Sequence, residues 1–354
     1  MALIINTLYW LTVIVFFFGQ LARINLFGIN FPIIDLLLGL LTTLSLILYF
    51  KKPTKLNLRP WLIFLILSWF SFLLNLIIFH HPLFKALFYQ LRLNFLLLLF
   101  ILPRPKFTTN LPFLLILIAN VVFGIFQYFV WPDATFFKIL EWDPHLYRLI
   151  STFFDPTFTG LIYLLFLIYL FLNYPKQKLL IAIVYLALAL TYSRSTYLAF
   201  ISAFSFIAFV KKNPKILITA VILIIFTVIL LPRFNGEGTK LERNSSIIAK
   251  IHNYQQGVAL FSQSPFIGTG YNFLPIIRSD IKQNSHAIGG FDGSLLTLLI
   301  TNGILGFPSF IIGLFILFKQ GNLFRKTAIL TILVHSVFAN SLLYPWVLLF
   351  LYLI

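Results

Sequence analysis

The residues of this chain whose type and spacing suit chemistry are cations set at the ends of long apolar runs. Arg194 stands in Ser193-Arg194-Ser195, in a very short turn between two such runs, so its guanidinium is held near a membrane interface. A planar fork of donors there can grip a diphosphate, and it can equally snorkel to lipid phosphate as helix-end arginines do. Arg148 runs just ahead of Phe154-Asp155-Pro156. Arg243 and Lys250 fall on one face of a helical stretch, with His252 pointing away from both. Arg92 lies near the middle of another apolar run with Lys85 on its face; an ion at that depth faces a cavity or a partner, and Asp35 is the candidate for a structural pair. His286 and Asp292 stand where the chain returns to apolar sequence, and Asp292 is also placed to cap the helix that follows.

Several other chemistries are excluded by what the sequence lacks. With Cys 0, disulfides, thiol nucleophiles and thiolate metal sites are ruled out. Glu141, Asp143 and His145 are close in sequence, but no Asp-x-Asp pair or His-x-x-x-His spacing occurs, so no metal is expected; hard cations need several converging oxygens. Gly268 and Gly270 suit a tight turn, and they are too few, with no strand before them, for a dinucleotide fingerprint. No cofactor is expected.

The elements that must position these residues are apolar. Hydrophobic residues make up 60% of the 354 and charged residues 10%, far from the balance of a soluble domain. The expected fold is an all-α polytopic membrane protein with no appended soluble domain. Its spans fall at about 3 to 22, 32 to 50, 60 to 79, 83 to 102, 111 to 131, 156 to 173, 178 to 193, 196 to 210, 214 to 231, 293 to 318, 323 to 340 and 343 to 354. The last is short for a crossing of ~20 residues, which leaves eleven or twelve. The N-terminal stretch lacks a basic region and a cleavage site and reads as a retained first helix. Trp10, Trp61, Trp69, Trp131, Trp142 and Trp346 mostly mark span ends, where such rings prefer the headgroup layer.

Charge sets the orientation. The net charge of +17 is spread over short loops rather than clustered on a soluble face, which excludes a nucleic-acid surface. With the N-terminus inside, the cytoplasmic loops hold cations such as Lys51, Arg59, Arg104, Lys176, Lys211 and Lys319 and no acid, while the acids lie in outer loops or the outer parts of spans. Residues 232–292, the long polar run between spans nine and ten, therefore fall on the extracytoplasmic face of the cytoplasmic membrane. Within them, about 244 to 262, Ile247, Ile248, Ile251, Val258 and Leu260 recur at mainly helical spacing, as in an amphipathic helix lying on a membrane.

The order of these features resembles a known family. Arg148 with Phe154-Asp155-Pro156, then Ser193-Arg194-Ser195, then an amphipathic helix ending in SPFIGTGYNF, then DGSLLTLLITNGILGF is similar to the superfamily of O-antigen polymerases and O-antigen ligases, over roughly residues 140 to 345. The resemblance implies an inverting, metal-independent glycosyltransferase whose donor is an oligosaccharide on a polyprenyl diphosphate, the diphosphate being held by outer-face arginines of which Arg194 matches one. Where the family carries an Arg in the amphipathic helix this chain has His252, with Lys250 and Arg243 as substitutes. Where ligases carry a His before the "GILG" element this chain has Asp292, a departure toward the polymerases.

Such a transfer needs charge on the leaving oxygens and a base for the incoming hydroxyl. Arg194 with Arg148 or Arg243 suits the first need, and Asp292 or His286 the second. The expected function is polymerisation of lipid-linked repeat units; the alternatives are ligation of the glycan to another lipid or a protein, and transport of lipid-linked sugar. The expected partners are the lipid-linked oligosaccharide and membrane lipids.

Overall fold

The computed structural model describes residues 2–26, 29–51, 59–79, 83–102, 110–140, 143–234, 237–278 and 290–354. Every expected apolar run is a helix there: α1 (Ala2–Phe18), α2 (Ile33–Lys51), α3 (Arg59–Phe79), α4 (Leu83–Ile101), α5 (Leu111–Val130), α6 (Pro156–Asn173), α7 (Lys178–Ala189), α8 (Arg194–Val210), α9 (Pro214–Leu230), then α10 (Ser245–Gln263) and the single turn α11 (Leu274–Ile277), and finally α12 (Ser294–Gln320), α13 (Leu323–Ser336) and α14 (Pro345–Leu353). The all-α expectation misses one feature, an antiparallel hairpin of β1 (Arg23–Leu26) and β2 (Ile29–Pro32) that brings Arg23 opposite Pro32 between α1 and α2.

Helix starts are set by short polar caps. Asp155, Ser193, Asn213 and Asn322 each accept a backbone N–H of the first turn of α6, α8, α9 and α13. The α6 helix is the central pillar: residues 159–170 are buried all round, against α7, α8, α13 and α14. The α9 helix is its opposite, apolar yet burying only Ala220 and Thr227. Exposed apolar side chains of this kind, Phe209 at 81% and Leu230 at 71% among them, form a surface that water would not tolerate and lipid would. Among the described residues, five helices (within α2, and α3, α5, α6 and α12) are long and apolar enough to cross a membrane. The short last span is an inner helix: α14 has 9 residues, all buried, and rises only about 14 Å, about half of a ~30 Å hydrocarbon core.

The tenth apolar run is broken. Gly303 inside α12 has φ 62 and ψ −174, and residues 264–270 close on the break. Thr269 N–H donates to Ile300 O at 2.9 Å, Gly270 N–H to Thr301 O at 3.1 Å and, in return, Ile304 N–H to Pro265 O at 2.9 Å. The SPFIGTG and TNGILG motifs are thus two halves of one clasp, which supplies partners for backbone groups that a broken helix frees. Glycine is required where the strands meet, since a Cβ on Gly303 would stand 2.2 Å from Phe266 O. Gly303→Ala is therefore expected to lower the melting temperature in detergent markedly, its positive-φ extended backbone alone costing on the order of 1–3 kcal/mol for a residue with a Cβ. Gly39→Ala, whose Cβ would meet nothing nearer than 3.5 Å, serves as the tolerated control.

Candidate active site

The turn between α7 and α8 is Leu190 to Ser193. Tyr192 stops α7 in a left-handed conformation (φ 51) and buries its ring, with its hydroxyl donating to Pro232 O at 2.8 Å. Ser193 caps α8, so Arg194 is the first helical residue of α8 rather than the middle of a turn. Its guanidinium does not reach for lipid. Nη1 donates to Leu241 O at 3.1 Å and Arg243 O at 3.0 Å, and Nη2 donates to Ser246 Oγ, all at the approach to α10.

Arg148 is buried behind this turn, with Nε donating to Thr191 O at 3.0 Å and Nη2 to Tyr192 O at 3.4 Å. The segment carrying it bends sharply through Tyr147, Ser151 and Phe154, each with positive φ. Burial, with Arg243 adding its own charge, pushes the Arg148 guanidinium down to about 10, which still leaves it charged at neutral pH. Arg243 itself donates from Nη1 to Gly238 O at 2.6 Å and Lys240 O at 3.3 Å. Three arginines, with backbone carbonyls and the Ser246 hydroxyl among their acceptors, gather at one cavity, where an anion would be stabilised.

The facing wall is built by α10 and the start of α12. Gly257 lets α10 lie against Leu296 and Ile300, where a Cβ would come within 2.8 Å of Leu296 Cδ2. Lys250 Nζ sits 3.4 Å from Asp292 Oδ2 and donates to Phe338 O at 2.7 Å, and Asp292 N–H donates to Asn253 Oδ1 at 2.8 Å. Asp292 is not the cap of the tenth span: Gly293 is the N-cap residue of α12, without a side-chain bond, and the Asp292 carboxylate is turned to Lys250.

Between the walls lies a cavity of about 1290 Å³, lined by Arg148, Arg194, Arg243, Lys250 and Asp292 and, along one side, by Leu198, Ile247, Ile251 and Val258. Its lining is thus both charged and apolar. Five of the expected site residues meet here, and two of the described ones, Arg92 and His252, do not. Arg92 pairs instead with Asp35 at 3.0 Å on α2, as its structural alternative required, and is not part of the cavity. His252 is exposed on a face of α10 turned away from it. His286 lies outside the described residues.

At and behind the cavity wall stand two residues that the sequence did not assign to the site. Asp155 lines it while capping α6, accepting Thr157 N–H at 2.5 Å. Behind Ser195, the fully buried His335 of α13 places Nε2 3.2 Å from Ser195 Oγ and Nδ1 2.5 Å from Ser341 Oγ. A histidine inside the apolar run ILTILVHSVFAN was the available signal, since ionisable groups are rare in such segments unless they face a partner. Among the described residues no group of three or more His, Asp or Glu side chains converges as a metal would need.

No curated protein matches the chain. The family model described as O-antigen ligase matches residues 179–311, from α7 to the middle of α12, a stretch that carries Arg194, Arg243, Lys250, the α10 helix, the SPFIGTG clasp and Asp292. That match lies over the cavity-forming helices, and across those residues this apolar-helical protein is similar to the O-antigen ligase family.

Proposed function

We propose that the chain is an inverting, metal-independent membrane glycosyltransferase that polymerises oligosaccharide repeats carried on a polyprenyl diphosphate. The observation that carries the reading is the cavity itself, whose lining brings Arg148, Arg194 and Arg243 together with the Asp292 carboxylate and with apolar side chains. The donor diphosphate lies against Arg148, Arg194 and Arg243, and its lipid follows Leu198, Ile247, Ile251 and Val258. The acceptor hydroxyl oxygen attacks the anomeric carbon from the opposite face, the carbon–oxygen bond to phosphate breaks, and the diphosphate departs with the electron pair. The hydroxyl proton passes to the Asp292 carboxylate, beside Lys250. The fixed guanidinium charges meet the negative charge that grows on the leaving group, and need no reorganisation because protein carbonyls already hold them.

The test is incubation of the purified protein with a polyprenyl-diphosphate oligosaccharide. A ladder of longer glycans supports polymerisation. The family description favours a second reading, ligation, which predicts one transfer to a different lipid or a protein and no ladder. Absence of both products rejects the enzyme in favour of transport.

In this reading the apolar helices span the cytoplasmic membrane with the N-terminus inside, and residues 232–292 with the cavity lie outside. Eleven or twelve helices cross, with the short α14 reaching only partway. The chain has no native thiol, so a single Cys at exposed Gln263, at the end of α10, is expected to react with an impermeant maleimide on whole cells. Reaction only after lysis overturns the orientation.

A further inference from the structure

Arg278 directly follows the single turn α11 and is a cation only 3% exposed. Its guanidinium carbon lies 4.6 Å from the centroid of the Phe291 ring, Nη1 donates to Gly290 O at 2.9 Å, and Nη2 donates to Gln256 Oε1 on α10 at 3.1 Å. A buried guanidinium is costly unless its donors and charge are matched, and these three partners are a ring face, a carbonyl and an amide. Two of them belong to Gly290-Phe291, the residues immediately before Asp292. The third belongs to the helix that carries Lys250 and Asn253, the two residues that hold Asp292.

Phe291 is buried, with its N–H donating to Thr297 Oγ1 at 3.0 Å and its carbonyl accepting from Asn340 Nδ2 at 2.6 Å. Asp292 beside it stays part-exposed at the cavity, so anchoring the ring inward aims the carboxylate outward. Arg278 is one of the contacts that tie this ring and carbonyl to α10, the helix that carries Lys250, beside the packing of the Phe291 cluster against Tyr254, Leu260 and Phe261. We propose that Arg278 is a positioning residue, which holds the Asp292 carboxylate toward the cavity by clamping Gly290 and Phe291 against Gln256. This rests on the reading of Asp292 as the base.

In the purified full-length protein Arg278→Gln is expected to lower kcat about ten-fold or more with the donor KM within about two-fold, the pattern of a residue that acts on the reacting state and not on donor binding. Arg278→Lys, which keeps a charge over Phe291, recovers part of the loss. Because Arg278 acts through Asp292, adding Arg278→Gln to Asp292→Asn should cost nothing further. Asp292→Cys gives a single thiol in a cysteine-free chain, and its rate of reaction with a small maleimide should change severalfold when Arg278→Gln is added. If Arg278→Gln lowers folded yield while kcat per folded molecule and the thiol rate both stand, Arg278 is structural and the proposal is overturned. If Asp292→Asn keeps full rate, the base reading falls by itself, and the thiol rate still decides whether Arg278 fixes residue 292.

Discussion

Arg194→Lys is expected to lower the transfer rate by on the order of 10²-fold or more while the protein still inserts and folds. The side chain has two duties that one ammonium cannot combine. Its Nη atoms hold Leu241 O, Arg243 O and Ser246 Oγ, which fixes the approach to α10, and its charge lines the cavity. A lysine supplies a point charge on a flexible stem and cannot hold several acceptors in one plane while also facing a phosphate. Ser246→Ala separates the duties, since it removes one acceptor and leaves the charge in place. A small loss with Ser246→Ala beside a large loss with Arg194→Lys locates the effect in the charge; equal losses locate it in the frame. Full activity with lysine leaves Arg194 as an interfacial anchor and nothing more.

How Arg194 is held was legible only in part. Apolar period and length located all the long helices, and the helical spacing of Ile247, Ile248, Ile251 and Val258 located α10 at its observed place. Those signals are local, and the chain states them directly. The α7–α8 turn was misplaced because Leu190 to Ser193 is apolar enough to read as helix, while the stop comes from one left-handed backbone at Tyr192 that no residue type announces. The clasp at Gly303 was hidden for a similar reason: Gly268 and Gly270 signal a turn, and only contact with a second glycine far along the chain shows what the turn is for. The cavity residues divide the same way. Arg148, Arg194, Arg243 and Lys250 could be picked out because charge in an apolar chain is conspicuous, yet Arg92 was equally conspicuous and turned out to pair with Asp35. Whether a buried cation faces a partner or a cavity depends on helix packing, which spacing along one helix does not encode.

Asp292→Asn is expected to abolish transfer while donor binding persists, because general-base contributions run to about 10²–10⁴-fold and the amide is nearly the same size but takes no proton. The structure sharpens this test in two ways. Asp292 does not cap α12, so its replacement leaves the helix start to Gly293 and a loss of rate is not a loss of that helix. The Asp292 N–H bond to Asn253 uses the backbone and survives the substitution, whereas the contact with Lys250 Nζ changes from an ion pair to one between the ammonium and a neutral amide. Lys250→Met, which keeps the carboxylate and removes its counter-ion, should therefore cost less than Asp292→Asn. Should Lys250→Met cost as much, the pair works as a unit and the carboxylate alone is not the base. His286 supplies the contrasting outcome. If His286→Ala abolishes transfer and Asp292→Asn does not, the imidazole is the base. If both variants keep their rate, no side chain takes the proton in the rate-limiting step. The fixed charges of Arg148, Arg194 and Arg243 would then have to carry catalysis, by stabilising the departing diphosphate and aligning the acceptor with it.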